Sequence, residues 1–188
     1  MRRTLILFFR EPRLGAGKKR LARDIGAGAA VGFERLMLAQ SLRRFGRDRR
    51  WDLRLAVTPD GAARRWPGAM VQGRGDLGMR MRRALAACPP GPKLLVGSDI
   101  PGLTASHIAA AFALLGRHDV VFGPASDGGY WLTGCRYRLP DFGQVRWSSP
   151  HALADTLANL PKSLSVGFAA TLDDVDDGAA YRRAVLGV

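Results

Sequence analysis

The sequence Val96-Gly97-Ser98-Asp99-Ile100-Pro101-Gly102 follows two leucines and ends their apolar run in a tight, proline-containing turn. This composition is typical of a parallel strand that is buried on both faces and ends at a carboxylate. In open α/β sheets, ligands bind in the crevice outside the carboxyl ends of the strands. We therefore expect Asp99 to lie at the edge of a central sheet, and it is the first candidate for the reaction centre.

The rest of the chain supplies further strands and helices in alternation. Apolar or alternating runs predict strands at 4–9, 51–57, 70–71, 93–96, 119–122, 130–133 and 163–166. Helical spacing and capping residues predict helices at 28–45, 76–87, 104–115, 150–160 and 177–186. Strands that alternate with helices indicate an α/β protein with a mainly parallel sheet. No repeat, linker or low-complexity segment divides the chain, so residues 1–188 are predicted to form a single domain.

The composition is that of an ordinary soluble globular protein. The 188 residues are 47% hydrophobic and 24% charged, and no apolar segment has the length of a membrane span. The N-terminal apolar run is too short for a signal peptide and leads directly into Arg10-Glu11-Pro12. Cys88 and Cys135 lack metal-binding or redox spacing. These features predict a cytoplasmic protein with reduced thiols.

The formal net charge of +13 has two interpretations. The 29 Lys and Arg residues either attract a polyanion such as nucleic acid or are solvated side chains spread over helix surfaces. They are dispersed along the chain, and the interleaving of aromatic and basic residues found in single-strand binders is absent. Dispersal favours the solvated interpretation, and a nucleic-acid-binding module is the alternative function.

A glycine-rich basic loop follows the first predicted strand. In Gly15-Ala16-Gly17-Lys18-Lys19-Arg20, the glycines allow backbone N–H groups to approach an anion, and Lys18 and Arg20 supply positive charge. The spacing is neither that of a P-loop nor that of the Rossmann fingerprint. A phosphate-binding loop and an ordinary surface loop are both consistent with this segment taken alone.

Three other segments each have an ordinary interpretation and a functional one. Gln72–Met81 places Gly75 and Asp76 ahead of a helix, as in a plain helix start or in a loop that holds a base or ribose. Asp127-Gly128-Gly129-Tyr130 is typical of a hairpin turn. Asp173–Asp177 holds four of the 16 acidic residues. Such a run is usually solvated, but adjacent carboxylates also suit Mg²⁺ bound to phosphates.

Taken in order, these segments match a known pattern. The apolar strand, the basic loop, Gly-Asp-Leu-Gly at 75–78, Gly-Ser-Asp-Ile-Pro at 97–101, Asp-Gly-Gly-Tyr at 127–130, Trp-Ser-Ser at 147–149 and Asp-Val-Asp at 174–176 follow one another along the chain. This order resembles the radical-SAM- and selenodomain-associated transferases of the nucleotide-diphospho-sugar transferase superfamily, over almost the whole chain. The resemblance implies a three-layer α/β/α GT-A fold with a mostly parallel, mixed central sheet.

The resemblance also implies roles for individual residues. The expected ligands of Mg²⁺ or Mn²⁺ are Asp99, Asp174 and Asp176. Asp99 and Asp127 are the expected catalytic residues, and Asp127 would be the base for a hydroxyl acceptor. The expected nucleotide-binding residues are Arg10, Gly15, Gly17, Lys18, Arg20, Gln72, Gly75 and Asp76. The expected acceptor-binding residues are Gly128, Gly129, Tyr130, Trp147 and Ser148.

The implied activity is transfer from a nucleoside triphosphate or a nucleotide sugar to a small phosphorylated or hydroxylated acceptor. The basic loop favours a triphosphate donor, and the absence of Asp-x-Asp after the fourth predicted strand disfavours glycosyl transfer. We therefore expect a nucleotidyltransferase, with a glycosyltransferase as the other branch. Lys19 and Met79 stand where the family has threonine and glutamate. These departures keep an inactive nucleotide-binding homologue as a further alternative.

Overall fold

A computed structural model of the chain describes residues 2–186, in which one seven-stranded sheet lies between two layers of helices. The strands are β1 (Thr4–Arg10), β2 (Asp52–Thr58), β3 (Met70–Val71), β4 (Lys93–Val96), β5 (Val120–Pro124), β6 (Tyr130–Cys135) and β7 (Val166–Phe168). The helices are α1 (Lys19–Ile25), α2 (Ala27–Gly46), α3 (Leu77–Ala86), α4 (Ala105–Leu114), α5 (Ala152–Ala158) and α6 (Gly178–Tyr181). A 3₁₀ turn spans Asp60–Arg65, and a π-helical turn spans Arg182–Leu186.

The strand order across the sheet is β3-β2-β1-β4-β6-β5-β7. β1 pairs in parallel with β2 and β4, and β5 pairs in parallel with β7. β6 is antiparallel to both of its neighbours, β4 and β5. The short link between β5 and β6 explains this reversal, because a parallel connection needs a crossover of a dozen or more residues. The carboxyl ends of β1, β2, β4 and β5 therefore meet at one edge of the sheet.

The two central strands are apolar on both faces because helices cover both sides. Leu5, Leu7 and Phe9 of β1 pack into the same cluster as residues of α2 and α4. The intervening residues, Ile6 and Phe8, pack with residues of α3 and α5 on the other face. Alternating side chains of a strand point to opposite faces, so an unbroken apolar run is what a strand in this position requires.

The predicted architecture is confirmed, with local differences. Helix α1 is not among the predicted elements; it forms because buried Leu21 packs against α2 in a small cluster with Phe33 and Val175. The helix predicted at 150–160 begins only at Ala152, after a turn. The last strand lies at Val166–Phe168 rather than at 163–166. The last predicted helix, 177–186, is the short α6 followed by the π-helical turn.

Over residues 2–186, the helices include none with both the length and the apolar character needed to cross a lipid bilayer.

Candidate active site

Backbone hydrogen bonds connect the acidic run near the C-terminus to the turn after β4. After β7, the chain returns along the carboxyl edge of the sheet: Ala169 N–H donates to Phe122 O at 2.8 Å, and Leu172 N–H donates to Pro124 O at 3.1 Å. One step further, Val175 N–H donates to the carbonyl of Asp99 at 3.3 Å. This returning segment carries the acidic residues from the edge of β5 to the edge of β4.

Val175 fixes the direction of its two acidic neighbours. Its side chain is buried beside α1 and α2, in contact with the cluster that contains Leu21 and Phe33. In an extended segment, residues on either side of a buried side chain point away from it together. Asp174 and Asp176 accordingly face the same space as Asp99, which explains why an apolar residue stands within this acidic run.

The side chain of Lys18 lies among these three aspartates. Its ammonium nitrogen is 2.6 Å from Asp99 Oδ2 and 3.1 Å from Asp174 Oδ2, and it also contacts Asp176 Oδ1. Only 13% of the Lys18 side chain is exposed. One positive charge is thus enclosed by three negative ones, and the cluster is net negative.

The pKa values in this cluster reflect burial and charge acting against each other. Burial alone would lower the pKa of Lys18, but the three carboxylates outweigh it and raise that pKa. Burial raises the pKa of Asp174 to about 6. Attraction to Lys18 acts against this rise, and repulsion from Asp99 and Asp176 adds to it. Burial also opposes ionisation of Asp176, but its contact with Lys18 outweighs this and lowers the pKa. Lys18 therefore stays charged, and the carboxylates retain an attraction for a further cation.

The chemistry of the cluster fits a divalent metal ion. One carboxylate oxygen from each of Asp99, Asp174 and Asp176 lies within 4.8 Å of the others. Oxygen-only ligand sets suit Mg²⁺ and Mn²⁺. The Lys18 ammonium that already lies between these oxygens demonstrates that the space accepts a cation.

The glycine-basic loop is held by a residue that the sequence did not single out. Lys18 N–H donates to Glu34 Oε1 of α2 at 3.0 Å. The same carboxylate lies against Gly17, where any Cβ atom would collide with it. Gly17 thus allows the close approach of Glu34, whose contact with the backbone of Lys18 helps to set the position from which Lys18 reaches the aspartates. Glu34 is the only acidic residue in α2, which is the one sequence signal that could have marked it.

A cavity of about 440 Å³ opens beside this cluster. It is lined by both signs of charge: Arg10 and Lys18 are basic, and Glu34 and the three aspartates are acidic. Gly17, Ser98 and Ser148 complete the polar part of its wall. We name this space the charged cavity. Arg20 is exposed, and its charge acts on Asp176.

A second cavity of about 340 Å³ adjoins the first. The two share Asp99, Asp174 and Ser148 in their linings, so together they form one cleft along the carboxyl edge of the sheet. The second cavity extends over the sheet towards α3 and α5, and its walls are mainly aromatic and aliphatic, including Tyr130 and Trp147. We name it the apolar cavity.

The loop between β5 and β6 borders the apolar cavity. Asp127 Oδ1 accepts from Gly129 N–H at 2.9 Å, which tightens the turn. Gly128 has φ +84°, and a Cβ atom there would collide with the carbonyl of Pro150. Leu153 N–H donates to Gly128 O at 3.0 Å, so the loop rests directly on the start of α5. The positive φ and the nearby carbonyl of Pro150 therefore require glycine at position 128. Asp127 and Gly129 line the cavity.

Ser148 lies where the two cavities meet and has an unusual backbone. Its φ is +57°, the only positive φ of a non-glycine residue within 2–186. Residues held in this left-handed region cost of order 1 kcal/mol or more and cluster at functional sites. Ser148 lies between Trp147, whose ring contacts Tyr130, and Ser149, which donates to Arg146 O at 2.6 Å.

Three predicted nucleotide-binding residues, Gln72, Gly75 and Asp76, are absent from the lining of the charged cavity. Gln72 is 1% exposed, and its amide donates to Phe9 O at 3.0 Å and Ala56 O at 2.9 Å while accepting from Arg80. Its polar atoms thus tie β1 and β2 to α3. Asp76 caps α3 by accepting from Met79 N–H at 2.8 Å, and it lines a separate cavity on the outer side of that helix.

Gly75 shares this local role. It has φ +108° and packs against the side chain of Met79. The structure thus gives Gln72, Gly75 and Asp76 structural contacts, whereas Lys18, Arg10 and the three aspartates surround the charged cavity. Gly15, at φ +74°, is open on all sides in the exposed part of the loop.

Comparisons with known proteins agree with this architecture. The family model described as "Uncharacterized protein conserved in bacteria (DUF2064)" matches residues 41–149. No curated protein sequence matches the chain. A candidate nucleotide-diphospho-sugar transferase of Desulfovibrio desulfuricans G20 superimposes with a TM-score of 0.83 at 27% identity, over 98% of this chain and 92% of that one.

Two further solved structures share the fold at lower identity. Rv0371c of Mycobacterium tuberculosis H37Rv, in complex with manganese, has a TM-score of 0.58 at 18% identity over the full length of both chains. CMP:2-keto-3-deoxy-manno-octonic acid synthetase, in complex with CTP, has a TM-score of 0.58 at 12% identity, over 100% of this chain and 98% of that one. The predicted nucleotide-diphospho-sugar transferase fold is thereby confirmed. The narrower association with radical-SAM and selenodomain proteins stays a prediction.

Proposed function

Since this chain belongs to the DUF2064 family of proteins conserved in bacteria, we propose that its members with this site are metal-dependent transferases that act on nucleotides. For this chain we propose nucleotidyl transfer from a nucleoside triphosphate to a small acceptor. The observation that carries the proposal is the convergence of Lys18 with Asp99, Asp174 and Asp176 at the carboxyl edge of the sheet. Ligands of open α/β sheets bind at this edge.

The charged cavity is the proposed site of the triphosphate. Arg10 and Lys18 line it, and Arg20 lies nearby on the exposed side of α1. Basic side chains that surround phosphate oxygens stabilise the charge that shifts onto the leaving group during transfer. Glu34 holds the backbone of Lys18, so that this lysine is positioned before the nucleotide arrives.

Asp99, Asp174 and Asp176 are the residues that would hold Mg²⁺ or Mn²⁺. Such an ion supplies charge neutralisation at phosphate oxygens and orients the donor for in-line displacement. The manganese complex of Rv0371c supports the use of a divalent ion in this fold. Oxygen ligands suit both Mg²⁺ and Mn²⁺, so both ions belong in any assay.

Asp127 is the proposed general base. It borders the apolar cavity, whereas Lys18 lines the adjoining charged cavity, so an acceptor beside Asp127 would meet a donor phosphate at their junction. Its turn, closed by Gly129 N–H, fixes the carboxylate relative to the sheet. A hydroxyl acceptor must lose its proton as it attacks, and a positioned carboxylate takes that proton.

Nucleotidyl transfer is preferred to glycosyl transfer on the basis of charge. Two basic side chains and four carboxylates in one cavity, three of them from the aspartate cluster, suit a triphosphate bound together with a cation. The CTP complex of CMP:2-keto-3-deoxy-manno-octonic acid synthetase supports a triphosphate donor in this fold. The name of the Desulfovibrio relative supports the other branch, in which a nucleotide sugar is the donor.

A nucleic-acid-binding module has less structural support. Many arginines are engaged in ion pairs that are scattered over the surface, among them Arg2–Asp52, Arg50–Asp48, Arg82–Asp141 and Arg146–Asp155. Arg65 likewise binds both oxygens of the buried Glu11 carboxylate. The net charge of +13 already counts these pairs, and the basic residues are dispersed along the chain rather than gathered in one basic segment.

The decisive experiment separates these functions by their products. Calorimetric titration with ATP, GTP, CTP and UTP, each with Mn²⁺ and with Mg²⁺, identifies the donor. Release of pyrophosphate from the bound triphosphate on addition of acceptor supports nucleotidyl transfer. Release of a nucleoside diphosphate from a nucleotide sugar, with no pyrophosphate from any triphosphate, would contradict it. Binding of DNA that exceeds binding of every nucleotide and depends steeply on salt would favour the nucleic-acid alternative.

A further inference from the structure

The apolar cavity differs from the other cavities of the protein in its charge. Among the described residues that line it, there is no lysine, arginine or histidine. Four other cavities, including the charged cavity, each contain at least two basic side chains. In a chain with 29 basic residues, this absence is a chemical property of the site. A phosphate or carboxylate placed there would have no cationic partner.

The mouth of the apolar cavity is acidic. Asp99, Asp127 and Asp174 line it. Lys18 pairs with Asp99 and Asp174 from the charged cavity, whereas Asp127 forms no ion pair within residues 2–186. A negatively charged group on an acceptor would have to pass the carboxylate of Asp127 and lose its hydration. Charge therefore selects against phosphorylated or carboxylated acceptors at the inner end of the cavity.

The inner wall is shaped for an apolar or aromatic body. Phe8, Leu95, Tyr130 and Trp147 line it, and Tyr130 meets Trp147 edge to ring at 6.4 Å between centroids. Burial raises the pKa of Tyr130, so its hydroxyl stays neutral and adds no charge. Rings of this kind favour a flat apolar group, which packs against them with little loss of conformational freedom.

Thr133 provides one polar contact at the base of this wall. It lies between Leu95 and Phe122 across the sheet, on the face that carries the cavity. Thr133 is 1% exposed, and its hydroxyl has no hydrogen-bond partner. A buried hydroxyl without a partner costs about 1–3 kcal/mol. Because the hydroxyl lines a cavity, a bound molecule with an oxygen or nitrogen at this position would satisfy it.

We propose that the acceptor is an uncharged alcohol or phenol, with an apolar body that fills the cavity and a second polar atom that bonds Thr133. This inference rests on the proposed function and names its substrate class. In the reaction, the acceptor oxygen forms a bond to the α-phosphorus of the triphosphate. The bond from that phosphorus to the bridging oxygen breaks, pyrophosphate leaves with the electron pair, and the hydroxyl proton passes to Asp127.

The test uses matched probes that differ in one phosphate. Benzyl alcohol and benzyl phosphate are titrated against the full chain, with glycerol and glycerol 3-phosphate as the pair that lacks an apolar body, and binding is followed by ligand-observed NMR. We expect benzyl alcohol to bind at least about tenfold more tightly than benzyl phosphate and than glycerol, since the phosphate finds no basic partner. Tighter binding of benzyl phosphate, or no binding of benzyl alcohol, would overturn the proposal.

Variants of Thr133 separate a recognition role from a structural one. Thr133→Val removes the unpaired hydroxyl, so it should raise the melting temperature. If Thr133 recognises the acceptor, the same variant weakens binding of 4-hydroxybenzyl alcohol about three- to tenfold, and Thr133→Ser restores it. Unchanged affinity in Thr133→Val would overturn the assigned contact.

The same titrations distinguish this inference from the proposed function. Nucleotide and Mn²⁺ are titrated into each variant, and binding at the charged cavity should not change in Thr133→Val. If nucleotides fail to bind while the protein still binds benzyl alcohol more tightly than benzyl phosphate, nucleotidyl transfer is wrong and the uncharged ligand class stands. If nucleotides bind and the phosphorylated probes bind in the apolar cavity, nucleotide binding stands and the uncharged ligand class is wrong.

Discussion

The ammonium group of Lys18 lies 2.6 Å from the carboxylate of Asp99, inside the space that the three clustered aspartates enclose. A divalent ion bound by the same carboxylate oxygens and this ammonium group would repel each other at such distances. Metal and lysine therefore compete for one set of oxygens. Lys18 both stabilises the metal-free cluster and carries a charge that a bound triphosphate can use.

Replacing Lys18 by Met should have opposite effects on metal and nucleotide. Lys18→Met keeps the length of the side chain but removes the competing charge, so affinity for Mn²⁺ alone should rise about tenfold. Affinity for nucleoside triphosphate in the presence of Mn²⁺ should fall about tenfold or more, because a phosphate partner is lost. Calorimetric titration of each ligand measures both changes.

The same variant should also lose stability when no metal is present. Removing the cation leaves three carboxylates facing one another, at a cost of about 1–3 kcal/mol that Mn²⁺ should restore. Lys19→Met is the matched control, because Lys19 is exposed and does not take part in the ion pairs of the cluster. Weaker Mn²⁺ binding in Lys18→Met than in the parent would refute the competition.

Asp99→Asn should abolish turnover and leave the fold intact. The substitution removes one of three carboxylates but keeps the backbone carbonyl that accepts from Val175 N–H. We expect pyrophosphate release to fall at least about a hundredfold and Mn²⁺ affinity to fall with it. Asp177→Asn is the control: Asp177 belongs to the same acidic run but caps α6, accepting from Ala180 N–H at 2.8 Å, and asparagine caps helices equally well. Equal losses in both variants would contradict the metal assignment.

Much of this site could be anticipated from the sequence because strand ends and turns are local features. The apolar run before Asp99 correctly identified a central strand. Because ligands bind at the carboxyl ends of such strands, Asp99 is the predicted reaction centre. The convergence of Asp174 and Asp176 on Asp99 depends on hydrogen bonds between distant segments. The resemblance to a known family supplied that long-range information; composition and spacing did not.

The residues that escaped sequence analysis all depend on tertiary contacts. In the sequence, Glu34 is one more polar residue of an amphipathic helix. Its contact with Gly17 and the Lys18 N–H exists only in the folded chain. Thr133 reads as an ordinary strand residue, and only the structure reveals that its hydroxyl is unpaired. Gln72 matches a nucleotide-binding motif, yet its amide bonds backbone carbonyls of β1 and β2. Sequence patterns record residue types; they do not record which hydrogen bonds are already made.

Ser148 offers a test that separates backbone strain from side-chain chemistry. Its φ of +57° suits glycine, so Ser148→Gly should leave stability unchanged or raise it by up to about 1 kcal/mol. Ser148→Ala keeps the strain and removes only the hydroxyl. If the hydroxyl contacts substrate at the junction of the two cavities, both variants lose activity to a similar extent. Full activity in Ser148→Ala would show that the residue acts through its backbone alone.

Gly128 should tolerate no side chain, in contrast to a glycine at an open position. Its φ is +84°, and a Cβ atom would strike the backbone of Pro150, which cannot move away as a flexible side chain could. Gly128→Ala should therefore cost about 2–4 kcal/mol in urea unfolding and displace the turn that carries Asp127, lowering activity as well. Gly28→Ala is the control, because Gly28 lies in α2 with open space around it and alanine favours helices by up to about 1 kcal/mol. Equal stability of the two variants would mean that the loop between β5 and β6 can shift away from α5, and Asp127 would then lack the fixed position that a general base requires.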